Sequence, residues 1–172
     1  MTKSQIVSDK TKAIIAYIIN YFQSSGIANK LGKVKLVKIL WFADREFMYK
    51  YYKQLTDLEY RKMPQGPMPT NIEKILKNMQ EKGIIKPFDT SKYGYKQQCF
   101  LCLKEPDLNQ FSAQEISILD KVIVELQNKS AKQISNQTHD ELWNSIEQGK
   151  IMPLESVFLQ DIIPATQDDV NG

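Results

Sequence analysis

The sequence predicts a mainly α-helical fold, a compact helical domain of five to seven helices with a small β-hairpin. Apolar residues recur at helical spacing in several separate segments, and a capping motif precedes three of them. Two apolar runs that flank a turn-rich segment predict the hairpin. With 172 residues and 42% hydrophobic composition, we expect one domain over residues 1–163 and a polar tail over residues 164–172.

The first helix is predicted over residues 11–24, where isoleucines and a phenylalanine recur at helical spacing. Ser8 or Asp9 can cap its start, and Gly26 follows its end. The apolar stripe is wide, which indicates that this helix packs on more than one side.

The second helix is predicted over residues 33–52. Its apolar residues between positions 36 and 47 follow the spacing of one buried helical face. Three lysines, Lys33, Lys35 and Lys38, are expected on the opposite side of this helix.

Residues 53–69 interrupt the helical pattern because prolines and a glycine crowd into positions 64–69. Residues 58–63 alternate weakly, which predicts a short strand or an extended segment. The prolines stiffen this connection, so we do not expect a floppy linker.

The third helix is expected to start at a capping box formed by Thr70 and Glu73, and to end at Gly83. Apolar runs follow at residues 84–88 and 99–103. The polar, turn-forming segment between these runs predicts a β-hairpin.

The C-terminal part is predicted to be helical again. Two of its helices are expected to start at capping boxes, Ser112 with Glu115 and Thr138 with Glu141. A short helix is expected over residues 131–137, and residues 153–163 can hold one or two further turns.

The formal net charge of +3 conceals an uneven distribution. Residues 1–103 contain 18 basic and 8 acidic residues, whereas residues 104–172 contain 5 basic and 12 acidic residues. Because both parts belong to one predicted domain, we interpret the asymmetry as two faces, one of which can meet a charged partner.

Composition removes several functional classes. The longest apolar run, residues 13–19, is too short to cross a bilayer, and the N-terminal residues carry no secretory signal pattern. Two cysteines cannot build a disulfide framework, so a cytoplasmic protein without membrane partners is expected. Neither a GxGxxG nor a Walker phosphate loop occurs.

Three features carry candidate chemistry, and each has a structural interpretation. Cys99 and Cys102 have CxxC spacing but lie in a predicted strand, which favours burial in the core over redox or metal chemistry. His139, the one histidine, stands where a helix is expected to start, which favours capping or packing. Asp44 adjoins the apolar stripe of helix two, so we expect an enclosed carboxylate, with the backbone amides of residues 60–66 as its donors.

Three sequence elements carry a family resemblance: the helix KLVKILWFADREF ending near Asp44, the extended Tyr60 followed by Gly66-Pro67, and the C-terminal Thr138-His139 with Trp143. Over residues 10–150 the chain resembles the Panacea domain, the SocA-like antitoxin family of bacterial and phage toxin–antitoxin systems. Two departures are visible: Trp41 stands where the family more often has tyrosine, and Tyr52-Lys53 stands where it often has glycine.

The resemblance implies an antitoxin that neutralises a cognate toxin by direct protein contact, and one described type in this family acts as a proteolytic adaptor with a protease partner. The family has no established active site. Six residues therefore carry over as motif positions without catalytic, cofactor-binding or metal-binding roles: Asp44, Tyr60, Gly66, Pro67, His139 and Trp143. We expect exposed aromatic residues to anchor the partner, with four candidates: Tyr51, Tyr52, Tyr93 and Tyr95.

Two other functions compete with this hypothesis. The order of helix three and hairpin, over residues 70–103, is winged-helix-like, and lysines follow it, which would suit a DNA-binding regulator of its own operon. Arginine, the usual reader of bases, is almost absent from that stretch. An enzyme would require His139 and Asp44 to meet in one pocket.

Overall fold

The computed structural model describes residues 7–92 and 94–161. The described fold is mainly α-helical, as the sequence predicts, with two small antiparallel hairpins. The α-helices are α1 (Asp9–Ser24), α2 (Lys33–Tyr51), α3 (Ile72–Glu81), α4 (Ala113–Leu126), α5 (Ala131–Thr138) and α6 (Glu141–Ser145). The strands are β1 (Tyr60–Met63), β2 (Gly66–Pro69), β3 (Ile85–Lys92) and β4 (Tyr95–Cys102). Short 3₁₀ helices cover Ala28–Lys30, Leu108–Gln110 and Leu154–Asp161.

Helix α2 lies at the centre of the molecule. It contacts α1, α4, α5, β2, β4 and the 3₁₀ helix Leu154–Asp161. The prediction that Lys35 and Lys38 point away from a single buried face is therefore wrong, since both are buried. The reason is that α2 is packed on several sides, although Tyr49 and Lys50 near its end remain exposed. Lys35 adapts by donating to the Gln127 carbonyl oxygen at 2.5 Å and lying over the Phe22 ring.

The hairpin β1–β2 forms within the proline-rich connection, where only a strand or extended segment was predicted. Pro67 and Pro69 are tolerated because β2 has a single partner strand, and proline fits where no ladder hydrogen bond is donated. The other edge of β1 is also paired: Lys62 and Met152 donate backbone hydrogen bonds, to the carbonyl oxygens of Lys150 and Tyr60 respectively. The chain after α6 is thereby fixed to β1.

The hairpin β3–β4 confirms the second strand prediction and is longer than the apolar runs alone indicated. Eight residue pairs run from Ile85 with Cys102 to Lys92 with Tyr95. Apolar periodicity could not predict the polar ends of these strands. Outside the core, a two-stranded ribbon needs no buried face and therefore no apolar residues.

Two predicted caps are confirmed. Ser8 accepts a hydrogen bond from the Thr11 amide at the start of α1, and Ser112 and Glu115 form the reciprocal capping box of α4. Helix α5 has a further box, formed by Ser130 and Gln133.

Two other predicted capping boxes are wrong. Helix α3 starts after Asn71, which has a left-handed backbone (φ 66°) and no side-chain cap, and Glu73 instead pairs with Lys33. Thr138 ends α5, and Asp140 caps a much shorter α6. Other partners replace the predicted motif: Glu73 pairs with Lys33 of α2, and the Thr138 hydroxyl donates to the Ser135 carbonyl oxygen within α5.

The uneven charge distribution is partly used inside the molecule. Lys10 of α1 pairs with Glu115 of α4 at 2.5 Å, and Arg45 of α2 lies 3.6 Å from Asp140. Both contacts join the basic N-terminal part to the acidic C-terminal part. The boundaries of the predicted domain stay a prediction, and the tail over residues 164–172 lies outside the described residues.

Candidate functional site

The Asp44 carboxylate binds the loop that follows α2. Its Oδ1 accepts hydrogen bonds from the backbone amides of Leu55 (3.1 Å) and Thr56 (2.8 Å). Its Oδ2 accepts from the hydroxyls of Thr56 (2.5 Å) and Tyr60 (2.7 Å). The predicted amide source, residues 60–66, is wrong, because the chain turns back towards α2 earlier, at Leu55. Asp44 therefore joins α2 to the start of β1.

Burial controls the charge of Asp44, which has no exposed surface. Loss of hydration raises the pKa of this carboxyl to about 6, although its four hydrogen bonds favour the charged form and oppose the rise. Burial beside the Asp44 charge also raises the pKa of Tyr60. Tyr60 thus remains a hydroxyl donor, which is the state that Asp44 requires.

The structure does not bring His139 to Asp44. All four hydrogen bonds of Asp44 go to Leu55, Thr56 and Tyr60, and His139 is not among its partners in the described part of the chain. His139 instead stacks on Trp143. The pairing that an enzyme using these two residues would require is therefore not present.

Gly66 makes room for a buried lysine. It opens β2 with φ 119°, a region that favours glycine. A Cβ atom at this position would overlap the Lys38 ammonium and lie 2.8 Å from both the Lys38 Cε and the Thr138 hydroxyl oxygen. The missing side chain thus lets α2, β2 and the end of α5 meet at one point. Pro67, the next motif residue, is buried and pairs with Lys62 in the hairpin.

Lys38 is the least expected residue of this site. Its side chain has no exposed surface, and within the described residues its ammonium nitrogen has no hydrogen-bond partner. Burial lowers the pKa of Lys38 to about 8. The C-terminal end of α5 offsets part of the free-energy cost of burying the Lys38 charge, because the C-terminus of a helix carries partial negative charge. A sequence pattern could have placed it here, since Lys38, Trp41 and Arg45 recur at i, i+3 and i+7.

Replacing the buried ammonium by a neutral chain is expected to stabilise the protein. We expect Lys38→Met to raise the free energy of unfolding by about 1–3 kcal/mol, because burying an unpaired charge is costly. Above pH 8 the folded lysine loses its proton while the unfolded lysine, with a pKa near 10.5, keeps it. Wild-type stability should therefore gain a contribution between pH 8 and 10 that the variant lacks.

Urea unfolding at several pH values measures both effects. The matched control is Lys74→Met on the exposed side of α3, which should change stability by under about 0.5 kcal/mol. A loss of stability in Lys38→Met would mean that the ammonium is satisfied in the folded state.

The side chain of Arg45 connects α2 to the C-terminal motif residues. Its guanidinium lies 5.2 Å from the centroid of the Trp41 ring and 3.6 Å from the Asp140 carboxylate. The Trp41 ring in turn meets the Tyr60 ring edge-on at 5.0 Å. Asp140 also caps α6 by accepting a hydrogen bond from the Trp143 amide at 3.0 Å. These contacts link the motif residue Tyr60 of β1 to the motif residue Trp143 of α6.

The Trp143 ring contacts two basic residues, His139 and Lys62. The His139 ring stacks on it at 4.2 Å, and the Lys62 ammonium lies 4.5 Å from its ring centroid. Lys62 also donates to the carbonyl oxygens of Trp143 and Ile146, which terminates α6 on β1. Partial burial, together with the charges of Lys38 and Lys62, lowers the pKa of His139. His139 is consequently neutral at physiological pH.

The motif residues thus form two connected groups. Asp44 and Tyr60 fix the loop after α2, and Gly66, His139 and Trp143 lie around Lys38 and Lys62. The sequence pattern assigned no site role to Lys38, Arg45 or Lys62, because their importance depends on what packs against them. Thr138 was named with the C-terminal motif element, but its position beside Gly66 was not predicted. Most of these side chains are buried, so the arrangement holds several elements together.

The cysteines are free and buried, as the sequence predicts. Cys99 lies near the Asn29 carbonyl oxygen and Cys102 near the Lys104 carbonyl oxygen. Burial raises the pKa of both thiols, so both stay protonated and weakly reactive. Across residues 7–92 and 94–161, no three potential metal ligands lie together.

The four candidate contact tyrosines occupy different environments. Tyr52 and Tyr95 are each 78% exposed. Tyr51 is half-buried and packs on Phe47, whereas Tyr93 lies outside the described residues. Tyr52 adopts a left-handed backbone at the end of α2 (φ 57°) and stacks on Phe158 at 5.4 Å. Two of the four are therefore open to a partner.

Residues 36–144 match the model of the antitoxin SocA-like family, the Panacea domain. The match covers well over half of the chain. This protein belongs to the SocA-like Panacea family. Its membership supports a toxin–antitoxin role in general and a toxin as partner. No curated protein matches the chain significantly.

The match begins in α2 and ends in α6, so it includes the motif positions from Asp44 to Trp143. In this Panacea domain those positions join α2, both strands of the first hairpin, α5 and α6. A search of the described helices finds none with the length and apolar character to cross a membrane.

Proposed function

We propose that this Panacea protein is an antitoxin that neutralises a cognate toxin by direct protein–protein binding. The observation that carries the proposal is the family match over residues 36–144. The positions of the motif residues support it: Asp44, Tyr60, Gly66 and Trp143 are buried and hold the scaffold, and exposed side chains are free for contact. A regular scaffold with an adaptable outer surface suits a binding protein.

The interface we propose is of standard size, on the order of 1,600 Å² in total. Tyr52 and Tyr95 are its proposed aromatic anchors, because tyrosine combines a large apolar area with little rotamer entropy. Replacement of a central anchor by alanine should weaken binding by about 2 kcal/mol. A change below about 0.5 kcal/mol for both residues would place the interface elsewhere.

Co-expression with the product of the neighbouring gene tests the function. The neighbouring product alone should arrest growth, and co-expression of this protein should restore it. If no neighbouring product is toxic, or if growth is not restored, the proposal fails. The control is the chain with Asp44→Ala, which we expect to be strongly destabilised and hence to protect less well.

The fate of the toxin separates direct neutralisation from a proteolytic-adaptor role. Direct binding predicts that toxin levels are maintained and that the toxin purifies together with this protein. An adaptor predicts that the toxin disappears, and that deletion of the responsible protease restores it. We propose direct binding, since no contact among the described residues points to a protease.

The DNA-binding alternative gains no specific support. The exposed side of α3, the expected recognition helix, carries equal numbers of acidic and basic residues: Glu73, Lys74, Lys77 and Glu81. Such a surface does not offer the continuous positive charge that a phosphate backbone attracts.

A further inference from the structure

A concave basic surface lies away from the motif residues. It is bounded by the 3₁₀ helix Ala28–Lys30, the start of β4, and the turn that joins α4 to α5. Its volume is about 700 Å³, which is sufficient for several side chains of a partner. We call it the basic groove and define it by four lysines that line it: Lys30, Lys35, Lys129 and Lys132.

The charge of the basic groove is of one sign. Four lysines line it, and no aspartate or glutamate is among its described lining residues. Lys30 and Lys132 have exposed side chains and belong to separate elements, the 3₁₀ helix Ala28–Lys30 and α5. Low-dielectric walls concentrate the field of like charges in a concavity, so the groove favours an anionic occupant.

The remaining lining adds groups that recognise a polypeptide. Tyr95, 78% exposed, provides an aromatic surface at the edge of the groove. Gln97, Gln127 and Asn128 provide amide groups that can both donate and accept hydrogen bonds. Charge, an aromatic anchor and neutral amides together match a mixed acidic segment better than a simple anion.

We propose that the basic groove binds an acidic segment of the cognate toxin. This inference rests on the proposed function and names the chemistry of the partner surface. A nucleic acid is the other polyanion to consider, but no arginine is among the described residues that line the groove. Single-stranded nucleic acid needs a track for roughly 4–16 nucleotides with several stacking surfaces, and a 700 Å³ groove is too small.

Charge reversal in the groove is the test. The groove variant is Lys30→Glu/Lys132→Glu, and its matched control is Lys74→Glu/Lys77→Glu on α3, which makes the same charge change outside the groove. The probes are fluorescein-labelled poly-glutamate, poly-glutamine and oligo-dT, measured by anisotropy. Circular dichroism and thermal unfolding establish that both variants are folded.

Poly-glutamate should bind the wild-type chain more tightly than poly-glutamine does. The groove variant should lose at least about tenfold in affinity for it, and the control should lose less than about threefold. Equal losses in both variants would show attraction to net charge alone and overturn the proposal. Tighter binding of oligo-dT that is lost in the groove variant would also overturn it, in favour of a nucleic-acid site.

The toxin assay then tests the named occupant. Growth rescue by the wild-type chain and the control, but not by the groove variant, supports a toxin-binding groove. Full rescue by the groove variant overturns the proposal and leaves the antitoxin function intact. If the wild-type chain fails to rescue growth, the proposed antitoxin function is wrong. The proposal that the groove binds a toxin is then wrong as well.

Discussion

Asp44→Ala is expected to lower the free energy of unfolding by about 3–5 kcal/mol, a large part of a typical domain's stability. The change removes the acceptor of four hydrogen bonds in a site without solvent. The amides of Leu55 and Thr56 would be left without a partner, and each buried unsatisfied group costs roughly 1–3 kcal/mol. A cavity adds to the loss. Urea unfolding monitored by circular dichroism measures the change.

Asp44→Asn is the informative companion variant, because the contacts allow a neutral replacement. Both backbone amides bond to Oδ1, whereas Oδ2 faces only the hydroxyls of Thr56 and Tyr60. An asparagine can keep its oxygen toward the amides and donate its NH₂ to the hydroxyls, which also accept. We therefore expect this variant to be considerably more stable than the alanine variant.

The difference between Asp44→Asn and the wild type should depend on pH. The folded pKa of Asp44, about 6, exceeds the unfolded value of 3.8. The folded carboxyl thus binds more protons between these values, and its contribution to wild-type stability falls as pH rises from about 4 to 6. Asparagine does not titrate, so its stability relative to wild type should improve by about 2–3 kcal/mol across this range.

Two results would contradict this account of Asp44. A loss below about 1 kcal/mol for Asp44→Ala would mean that water or a relaxed loop replaces the carboxylate. The stability of the asparagine variant relative to wild type could also stay constant between pH 4 and 7. That result would mean that burial does not shift the carboxyl pKa of Asp44.

Gly66→Ala is expected to destabilise the fold by about 3–5 kcal/mol for two separable reasons. A backbone angle φ of 119° strains any residue with a Cβ atom. The new methyl group would also overlap the Lys38 side chain and approach the Thr138 hydroxyl. Thermal and urea unfolding should show the loss, and α5 should detach from β2 first in hydrogen exchange.

A double-mutant cycle with Lys38→Ala separates the two reasons. Shortening Lys38 removes the overlap but leaves the backbone strain, so the double variant should recover about 1–3 kcal/mol relative to additivity. The matched control combines Gly66→Ala with Lys74→Ala on the exposed side of α3, a residue that is not among the nearest neighbours of the new methyl group and should be additive. Additive behaviour with Lys38→Ala would assign the entire cost to backbone conformation.

Local sequence patterns located most of the regular structure. The helices α1, α2 and α4 start and end within a few residues of their predicted bounds, because apolar periodicity and end signals such as Ser112 with Glu115 are local properties. The hairpin β3–β4 was predicted for the same reason. A helix was also predicted at α6, but its cap was assigned to Thr138 and lies instead at Asp140, and the helix is shorter than expected.

The candidate site was predictable only in part. The position of Asp44 beside the apolar stripe of α2 indicated burial, but nothing nearby in sequence showed that Leu55 and Thr56 would supply the amides. The burial of Lys38 contradicts its polar character, so only its helical spacing with Trp41 and Arg45 could have indicated the face on which it lies. The family resemblance identified Gly66 as a motif position but did not show why glycine is required there. The reason is the close approach of the Lys38 ammonium.

The sequence alone therefore determined the fold class, most helix positions and membership of an antitoxin family. Each of these follows from residues close together in the chain, through periodicity, capping and motif spacing. The tertiary structure decided which side chains are enclosed and what they meet: Lys38 beneath Gly66, Arg45 beside Asp140, and four lysines around one groove. These contacts join residues far apart in the chain, and burial changes the energy of a charge far more than its sequence neighbours do.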